Sequence, residues 1–415
     1  MKNLFRNLFL VAIGIMLFSP TQGQGLCNFN VSTGEFEDPQ TGGPCINTII
    51  TAVPFLRIVP DARSGAMGDA GVATSPDPNA MHFNASKLAF VDQNVGVSVT
   101  YTPWLRSLGL QDVYLAYLSG YYQVDDLQTF GLSLRYFSLG SINFTDDNGG
   151  SLGTGRPNEF EISLAYARKL SPNFSVAVTP KFIYSNLASG QSVGNVEINP
   201  GIAGGADFSL TYKTPINFTA NESNLTIGAA VNNLGTKISY TQSINKDFIP
   251  ANLGIGAAWE LNFDEFNSLT ITSDIHKLLV PTPCLDEDNN PNTSSCDTDA
   301  NGIPDFKEQS MFGGVLSSFG DAPNGFSEEI RELMYSIGVE YWYDKQFAVR
   351  AGYYSEHATK GNRKFFTVGL GLKYNVFGLN FSYLVPTTNQ RNPLDNTLRF
   401  SLLFDFGAFA GDDIE

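Results

Sequence analysis

The sequence predicts an all-β fold, a transmembrane antiparallel β-barrel of about 14 strands with an N-terminal plug-like segment. From Val95 onward, apolar and polar residues alternate in segments of about ten residues, the length that a tilted strand needs to cross a bilayer. Long and short connections alternate between these segments. Only 16% of the residues are charged, against about 25% in typical soluble proteins.

The chain begins with the features of a secretory signal peptide. Two basic residues precede an apolar run from Leu8 to Phe18, and Thr21-Gln22-Gly23 supplies small residues for cleavage. About eleven apolar residues are too few to span a bilayer. We therefore expect residues 1–23 to be removed and the mature chain to be exported from a bacterial cytoplasm.

The stretch from Pro60 to Phe90 is rich in Gly, Ala, Ser, Asp and Pro. Gly65, Gly68 and Gly71 can adopt positive φ and let backbones approach closely. The stretch is too polar for a lipid-facing strand and too broken for a long helix. It predicts a compact segment packed against something larger, so residues 24–93 are assigned to a plug; the alternative is a flexible leader.

Alternation with a period of two locates the strands that follow. In Phe130–Tyr136 the apolar residues share one face while Gly, Ser and Arg share the other, and Phe366–Tyr374 repeats the pattern. A water-soluble sandwich would alternate in the same way, so loop lengths must decide. About 14 such segments are predicted, beginning near Val95, Gln111, Gln128, Glu159, Phe174, Ala203, Leu225, Ala251, Asn267, Leu333, Gln346, Lys364, Gly378 and Thr397.

The connections favour the membrane barrel. Five are long, namely 138–157, 185–202, 235–250, 276–332 and 386–396. Short turns separate them, although 214–224 is longer than expected for such a turn. Outer-membrane barrels have short periplasmic turns and long external loops, and an even strand number places both termini in the periplasm. Residues 94–406 are thus assigned to a barrel with a long extracellular loop over 276–332, and residues 407–415 to a periplasmic tail.

Four cysteines form two local pairs. Cys27 lies near Cys45, and Cys284 lies near Cys296. In an oxidising periplasm each pair would close a short loop. Three connectivities are formally possible, and we expect the two local ones. No second Cys or His lies at the spacing of a metal site.

The long loop contains a calcium-loop pattern. The sequence from Asp297 to Glu308 fits D-x-[DN]-x-[DN]-G-x₅-E without a gap. Calcium takes about six to eight oxygen ligands. The expected donors are the side chains of Asp297, Asp299, Asn301, Asp305 and Glu308 and the carbonyl of Ile303. The alternative is an acidic solvated loop, because no helix clearly precedes the pattern and a proline stands at its eighth position.

The remaining charges and motifs predict no enzyme. A net charge of −16 argues against binding of nucleic acid. Gly190-Gln-Ser192-Val-Gly194 matches a hydrolase motif, but nothing places a histidine beside it. The three histidines share no spacing, so we predict no catalytic site. Charged side chains on the non-lipid faces are expected mostly to pair across the lumen: Arg135, Arg350, Lys373, Glu159, Glu161 and Glu340.

The stretch PDARSGAMGDAGVATSPDPNAMHFNASKLAF (Pro60–Phe90) resembles the N-terminal signature of the PorV (LptO) family, outer-membrane components of the type IX secretion system of Bacteroidetes. The resemblance runs from about Leu56 to Phe406 and implies a barrel similar to the FadL long-chain fatty-acid transporters. FadL-like proteins share a looser frame, with small residues around Gly65 to Ala73 and then Asn84-Ala85-Ser86-Lys87-Leu88.

The resemblance implies a non-enzymatic shuttle. Such proteins associate with a giant translocon barrel (SprA or Sov) and bind cargo proteins through the C-terminal domain of the cargo. They then pass the cargo to an attachment complex with the PorU sortase. We expect the external loops to make these contacts. Two alternatives stay open: a FadL-like channel for fatty acids or other hydrophobic molecules, with a continuous apolar passage, and a lipid A deacylase, with a nucleophile or carboxylate beside a histidine.

Overall fold

The computed structural model describes residues 28–30, 35–37, 45–106, 109–145, 150–193, 196–216, 223–242, 246–285, 296–387 and 397–406. Within these ranges, fourteen antiparallel strands form one closed barrel in which the last strand pairs with the first. The predicted signal peptide and C-terminal tail lie outside the described residues. No helix in the described part of the chain is long and apolar enough to cross a membrane.

The barrel strands follow one another in chain order around the sheet. They are β1 (Val95–Pro103), β2 (Val113–Asp125), β3 (Gln128–Leu139), β4 (Asn158–Ser171), β5 (Phe174–Asn186), β6 (Gly201–Ile216), β7 (Ser223–Gly235), β8 (Asn252–Asn262), β9 (Asn267–Leu278), β10 (Met334–Tyr343), β11 (Phe347–Ser355), β12 (Lys364–Tyr374), β13 (Phe377–Pro386) and β14 (Leu398–Asp405). Each begins within two residues of its predicted start.

Short elements lie outside the wall. Small hairpins pair Asn28–Asn30 with Glu35–Glu37, Ile142–Thr145 with Ser151–Gly155, and Ser192–Val193 with Val196–Glu197. The α-helices are α1 (Ala62–Gly65), α2 (Ala80–Phe83), α3 (Asp305–Glu308), α4 (Met311–Ser317) and α5 (Phe326–Arg331). Short 3₁₀-helices span Pro54–Arg57, Ala85–Phe90 and Ala358–Lys360.

The wall is apolar outside and polar inside. In β3 the side chains of Phe130, Leu132 and Leu134 are exposed, whereas those of Ser133 and Arg135 between and after them are buried. A soluble sandwich would bury the apolar face instead. The closed barrel with outward apolar side chains therefore confirms the membrane-barrel prediction, and it leaves no free sheet edge.

The two ends of the barrel differ. One end, the short-turn end, carries tight connections such as Asp125–Gln128, together with the start of β1 and the end of β14. The other, the long-loop end, carries the longer connections, including residues 279–333 between β9 and β10. The connection predicted over 214–224 is shorter than expected, because β6 and β7 remain paired as far as Ile216 and Ser223.

The chain before β1 runs along the inside of the barrel. Near its beginning, the amide of Asn47 donates to the Thr359 carbonyl oxygen at the long-loop end (2.9 Å). Near its end, the Asn94 carbonyl oxygen accepts from the amide of Gln123 at the short-turn end (2.7 Å). The segment between them is largely buried. This arrangement confirms the predicted plug.

The plug packs in two apolar layers. Both layers combine plug side chains with inward-facing wall side chains. The layer at the long-loop end includes Val53, Phe55, Leu56, Leu115, Phe137, Ile183, Phe248, Leu278 and Leu384. The layer nearer the short-turn end includes Ala80, Met81, Leu88, Tyr121, Ala165 and Ala167. Between the two layers the lumen is lined mainly by polar and charged side chains.

Glycines let the plug touch the wall. A Cβ atom at Gly352 of β11 would lie 2.0 Å from the amide nitrogen of Gly68, and one at Gly338 of β10 would lie 2.5 Å from the Cβ of Met67. Gly68 has φ +68°, whereas the other two predicted plug glycines, Gly65 and Gly71, are not in the positive-φ region. Those two are needed for space alone.

Candidate functional site

A buried ion-pair cluster locks the plug to the wall. The short helix α1 begins after Asp61, whose carboxylate accepts from the amide of Ser64 (2.8 Å). This cap positions Arg63, whose guanidinium donates to both carboxylate oxygens of Glu340 (2.7 and 3.0 Å). Arg350 donates to the same carboxylate (2.6 Å). All three charged groups are buried, so the plug and strands β10 and β11 depend on one another.

Further polar contacts hold the rest of the plug. The Asp274 carboxylate accepts from two successive plug amides, those of Gly71 (2.6 Å) and Val72 (2.9 Å). Arg135 donates to the carbonyl oxygen of Leu56 (2.8 Å). The Lys181 ammonium lies 2.8 Å from the Asp207 carboxylate on the neighbouring wall strand. Buried charges of the inner wall are thus used for packing and pairing.

The charges predicted to pair across the lumen instead pair between adjacent strands. Arg350 of β11 pairs with Glu340, its neighbour in β10, and Arg135 of β3 lies 3.5 Å from Glu161, its neighbour in β4; all of them are buried. Lys373 differs: its exposed ammonium pairs with Asp405 at the short-turn end of the wall (3.0 Å). It sits too close to the strand end to reach across the lumen.

A cavity of mixed character lies between the apolar layer at the long-loop end and the charged plug contacts. Its charged and amide lining side chains are Arg57, Asp69, His82, Lys181, Asn232, Asn233, Asn252, His276 and Arg363, and its apolar ones include Leu56, Val59, Phe83, Pro250 and Met334. An apolar passage for a greasy ligand would expose mainly aliphatic and aromatic side chains. In the described part of the chain, the lumen does not form the continuous apolar passage that the transporter alternative predicts.

The long loop is folded back over the barrel mouth by buried ion pairs. Glu332 accepts from Lys277 of β9 (2.5 Å) and from Lys360 in the connection between β11 and β12 (3.0 Å). Glu328 of α5 accepts from Lys360 and from the Asn47 side chain (3.1 Å). The loop, the wall and the N-terminal segment are therefore joined at the long-loop end.

A second carboxylate at this end is shared by two arginines. Glu356 lies beside Arg363 and 3.4 Å from Arg57 of the N-terminal segment. Burial alone would raise the pKa of the Glu356 carboxyl, but the charges and hydrogen bonds of the two arginines outweigh it and lower that pKa. The carboxylate therefore stabilises the fold at neutral pH, and this contribution is lost as the pH falls through the lowered pKa.

Three of the predicted acidic residues of the calcium-like loop lie close together. The Asp297 carboxylate accepts from the amides of Asn301 (3.1 Å) and Gly302 (2.8 Å), and Gly302 has φ +84°. Carboxylate oxygens of Asp297, Asp299 and Asp305 lie within 4.8 Å of one another. Converging oxygens of this kind suit a hard cation such as Ca²⁺.

Two further features complete this loop. Glu308 of α3 accepts from the Asn301 side chain (2.8 Å), so the last acidic residue faces the middle of the loop. The predicted Cys284–Cys296 disulfide is formed and joins the loop to the end of β9, with Cα atoms 5.9 Å apart. The Cys27–Cys45 disulfide stays a prediction, because Cys27 lies outside the described residues. For Ile303 the structure shows an amide that donates to the Asn301 side chain (2.8 Å).

An exposed apolar face lies on the long loop. Phe312, Leu316 and Phe319 are 67%, 75% and 53% exposed, at helical positions i, i+4 and i+7 along α4 and just beyond it. On the other side of α4, Gly314 packs against Phe248. We call these three side chains the apolar helix face. Sequence reasoning missed it, although this spacing within residues 276–332 is the signal that would have found it.

The catalytic motifs do not form a catalytic arrangement. Ser192 lies in a two-residue strand of a loop hairpin and not on a turn into a helix, and Gly194 lies outside the described residues. His82 contacts Arg135 (2.6 Å), and His276 contacts Asn252 (3.1 Å). The third histidine accepts from a backbone amide at the start of the 3₁₀-helix Ala358–Lys360. Each histidine therefore has a structural partner.

Comparison with known proteins gives a family and a set of distant structural likenesses. No curated protein matches the chain significantly. Among the similar solved structures is the toluene transporter TodX of Pseudomonas putida, with 14% identity over 82% of this chain and 95% of that chain and a TM-score of 0.44. The toluene transporter TbuX of Ralstonia pickettii has 11% identity over 83% of this chain and 96% of that chain and a TM-score of 0.43. A FadL homologue of Pseudomonas aeruginosa has 13% identity over 87% of this chain and 99% of that chain and a TM-score of 0.40.

The family result comes from the sequence. A profile described as "Type IX secretion system protein PorV" matches residues 44–285, which is more than half of the 415 residues. The match includes the plug and the first nine barrel strands. An outer-membrane β-barrel is the fold expected of such a protein. The chain belongs to the PorV family of the type IX secretion system.

Proposed function

We propose that this protein is a non-enzymatic shuttle of the type IX secretion system. In this proposal it binds the C-terminal domain of secreted cargo at a translocon barrel of the SprA or Sov kind and delivers the cargo to a surface complex with a PorU-like sortase. One observation carries the proposal beyond the family. The plug lies in the lumen and is attached to the wall by buried ion pairs, while the long-loop end presents a folded surface with exposed apolar side chains.

A plugged barrel with a folded surface at its long-loop end is suited to binding a protein partner. Gly314 packs against Phe248 on the other side of the helix that carries the apolar helix face, and ion pairs of Glu328 and Glu332 attach the same long loop to the barrel. Partners recognise apolar side chains that are held rigidly, because little conformational entropy is then lost on binding. With the long loops outside the cell, this surface faces the secreted cargo.

The two alternatives receive less support. A channel for fatty acids or other hydrophobic molecules needs a continuous apolar route, and charged and amide side chains interrupt the apolar lining of the cavity in the lumen. A lipid A deacylase needs a histidine beside a nucleophile or carboxylate at the lipid face. His276 lies 3.9 Å from the Asp274 carboxylate, but it lines the cavity in the lumen, and all three histidines have structural partners. The shuttle proposal therefore places function at the long-loop end.

Purification from the native outer membrane tests the proposal. The tagged protein is extracted in mild detergent, and its partners are identified by mass spectrometry. We expect a giant barrel protein, or secreted proteins that share a C-terminal domain. A lone barrel carrying fatty acids would instead establish the channel alternative.

Changing the apolar helix face is expected to reduce partner recovery. Phe312→Ser with Leu316→Ser removes two exposed apolar side chains without disturbing buried contacts, and recovery of translocon or cargo should fall by about tenfold or more. The measurement is quantitative mass spectrometry of the same purification. Leu152→Ser is the matched control, since Leu152 is also exposed but lies on a different loop hairpin. Equal recovery from the double variant and the control would show that the partner binds elsewhere.

We also propose that the loop from Asp297 to Glu308 binds Ca²⁺ through the predicted oxygens. Calcium would neutralise the converging carboxylates and brace the base of the long loop. Asp297→Asn should weaken calcium binding to the purified full-length protein by at least about tenfold, because affinity depends on ligand charge. Isothermal titration calorimetry measures the change. Asp264→Asn, at the short-turn end, should bind as the unchanged protein does, and no heat of binding from the unchanged protein would refute the site.

A further inference from the structure

The path of the N-terminal segment has a consequence for membrane topology. We propose that this segment crosses the outer membrane inside the barrel, so that Cys45–Ala52 forms part of the extracellular surface while Asp405 lies on the periplasmic side. The proposal rests on the orientation in the proposed function, with the long loops outside. It departs from the expectation that both ends of the mature chain lie in the periplasm.

The first part of the segment is attached at the long-loop end. The Asn47 side chain donates to the Pro283 carbonyl oxygen (2.9 Å) and to Glu328 (3.1 Å), both in the long loop after β9. The amide of Ala52 donates to the carbonyl oxygen of Phe248 (2.9 Å), between β7 and β8. Two separate long loops therefore hold the chain where it enters the barrel.

Two later contacts lie further down the wall. The amide of Ala62 donates to the Ser401 hydroxyl in β14 (2.9 Å). Further along the plug, the Ser175 hydroxyl at the start of β5 donates to the carbonyl oxygen of Ser86 (2.8 Å). β5 starts at the short-turn end, so the chain has then descended almost the full height of the barrel. Its direction is from the long-loop end to the short-turn end.

A return route for the preceding residues would need space in the lumen. Within the described residues, the apolar layer at the long-loop end is closely packed: Val53, Phe55 and Leu56 are at most 2% exposed, as are the wall side chains Leu115 and Ile183. A second passage of the chain through this layer would require these side chains to separate. The packed layer therefore favours a single crossing of the lumen by the segment from Cys45 to Asn94.

This placement adds a strip of chain to the surface available to a partner. Along Cys45–Ile50 the side chains alternate between buried and exposed, with Ile46, Thr48 and Ile50 exposed. Ile50 is 82% exposed. The strip is joined through Asn47 to the same loop that carries the apolar helix face. A protein partner that binds apolar side chains on the long loop is thus expected to contact this strip as well.

Cysteine labelling in intact cells tests the topology. Thr48→Cys and Ile50→Cys report on the N-terminal segment, because both positions are exposed. Gly320→Cys reports on the long loop, where an added Cβ meets no atom within 4 Å. Asp126→Cys reports on the exposed turn between β2 and β3 at the short-turn end. A membrane-impermeant maleimide is applied before and after permeabilisation; the described cysteines are not free and contribute no background.

We expect Thr48→Cys, Ile50→Cys and Gly320→Cys to react in intact cells, and Asp126→Cys to react at least about tenfold more after permeabilisation. If Gly320→Cys reacts in intact cells while both N-terminal positions react only after permeabilisation, the single crossing is wrong and the proposed function is unaffected. If Asp126→Cys reacts in intact cells and Gly320→Cys does not, the orientation itself is reversed, which overturns both proposals.

Discussion

Replacing Gly352 with valine is expected to prevent the plug from seating in the barrel. An added Cβ would lie 2.0 Å from the amide nitrogen of Gly68 and 2.1 Å from the carbonyl carbon of Met67. These are backbone atoms and cannot rotate away. The cost should reach or exceed the about 1–3 kcal/mol that overpacking of a core usually costs. A barrel that assembles despite this change should have its plug displaced.

Two measurements follow from this expectation. The thermal unfolding temperature of the detergent-solubilised protein should fall, and liposomes containing the variant should become permeable to small solutes. Gly204→Val is the matched control, because a Cβ at Gly204 of β6 meets no atom within 4 Å. Unchanged unfolding and impermeable liposomes for Gly352→Val would show that the plug does not contact β11 as described.

Glu340→Gln is expected to destabilise the protein by about 3–5 kcal/mol, because it removes the counter-charge that two buried arginines share and leaves Arg63 only the Asp77 carboxylate at 3.1 Å. Arg63 from the plug and Arg350 from the wall both donate to the Glu340 carboxylate. A glutamine retains the size of the side chain and removes only the charge. Equilibrium unfolding in denaturant, with the protein in detergent, measures the loss.

The exposed pair between Lys373 and Asp405 provides the control. Their side chains are 47% and 27% exposed, and the charges are 3.0 Å apart. Asp405→Asn should therefore cost only about 0–1 kcal/mol, as surface ion pairs usually do. An equal cost for the two substitutions would mean that the Glu340 cluster is hydrated and does not lock the plug.

The strands could be predicted from the sequence because the alternation of apolar and polar residues is a local pattern. Each side of the wall faces a different environment, so residues such as Phe130 and Ser133 must differ at a period of two. The convergence of Asp297, Asp299 and Asp305 is also local, because these residues lie within nine positions of one another. Calcium binding by this loop stays a prediction.

Other features depend on contacts that the sequence does not display. Arg63 meets Glu340 across 277 positions, and Asn47 meets Glu328 across 281. Nothing local distinguishes Arg63 from other arginines, so neither the partner nor the cluster could be predicted. The spacing of Phe312, Leu316 and Phe319 could have predicted one apolar face of a helix, but only the packed structure shows that this face stays exposed.

The sequence by itself determined the membrane barrel, its fourteen strands, the presence of a plug and the family, because alternation and the Pro60–Phe90 stretch are properties of neighbouring residues. Only the tertiary structure decided the direction of the plug and the closure of the lumen. Both depend on which wall residues the segment reaches, such as Thr359 at one end and Gln123 at the other. Such contacts become defined when the barrel closes and brings distant strands around a single lumen.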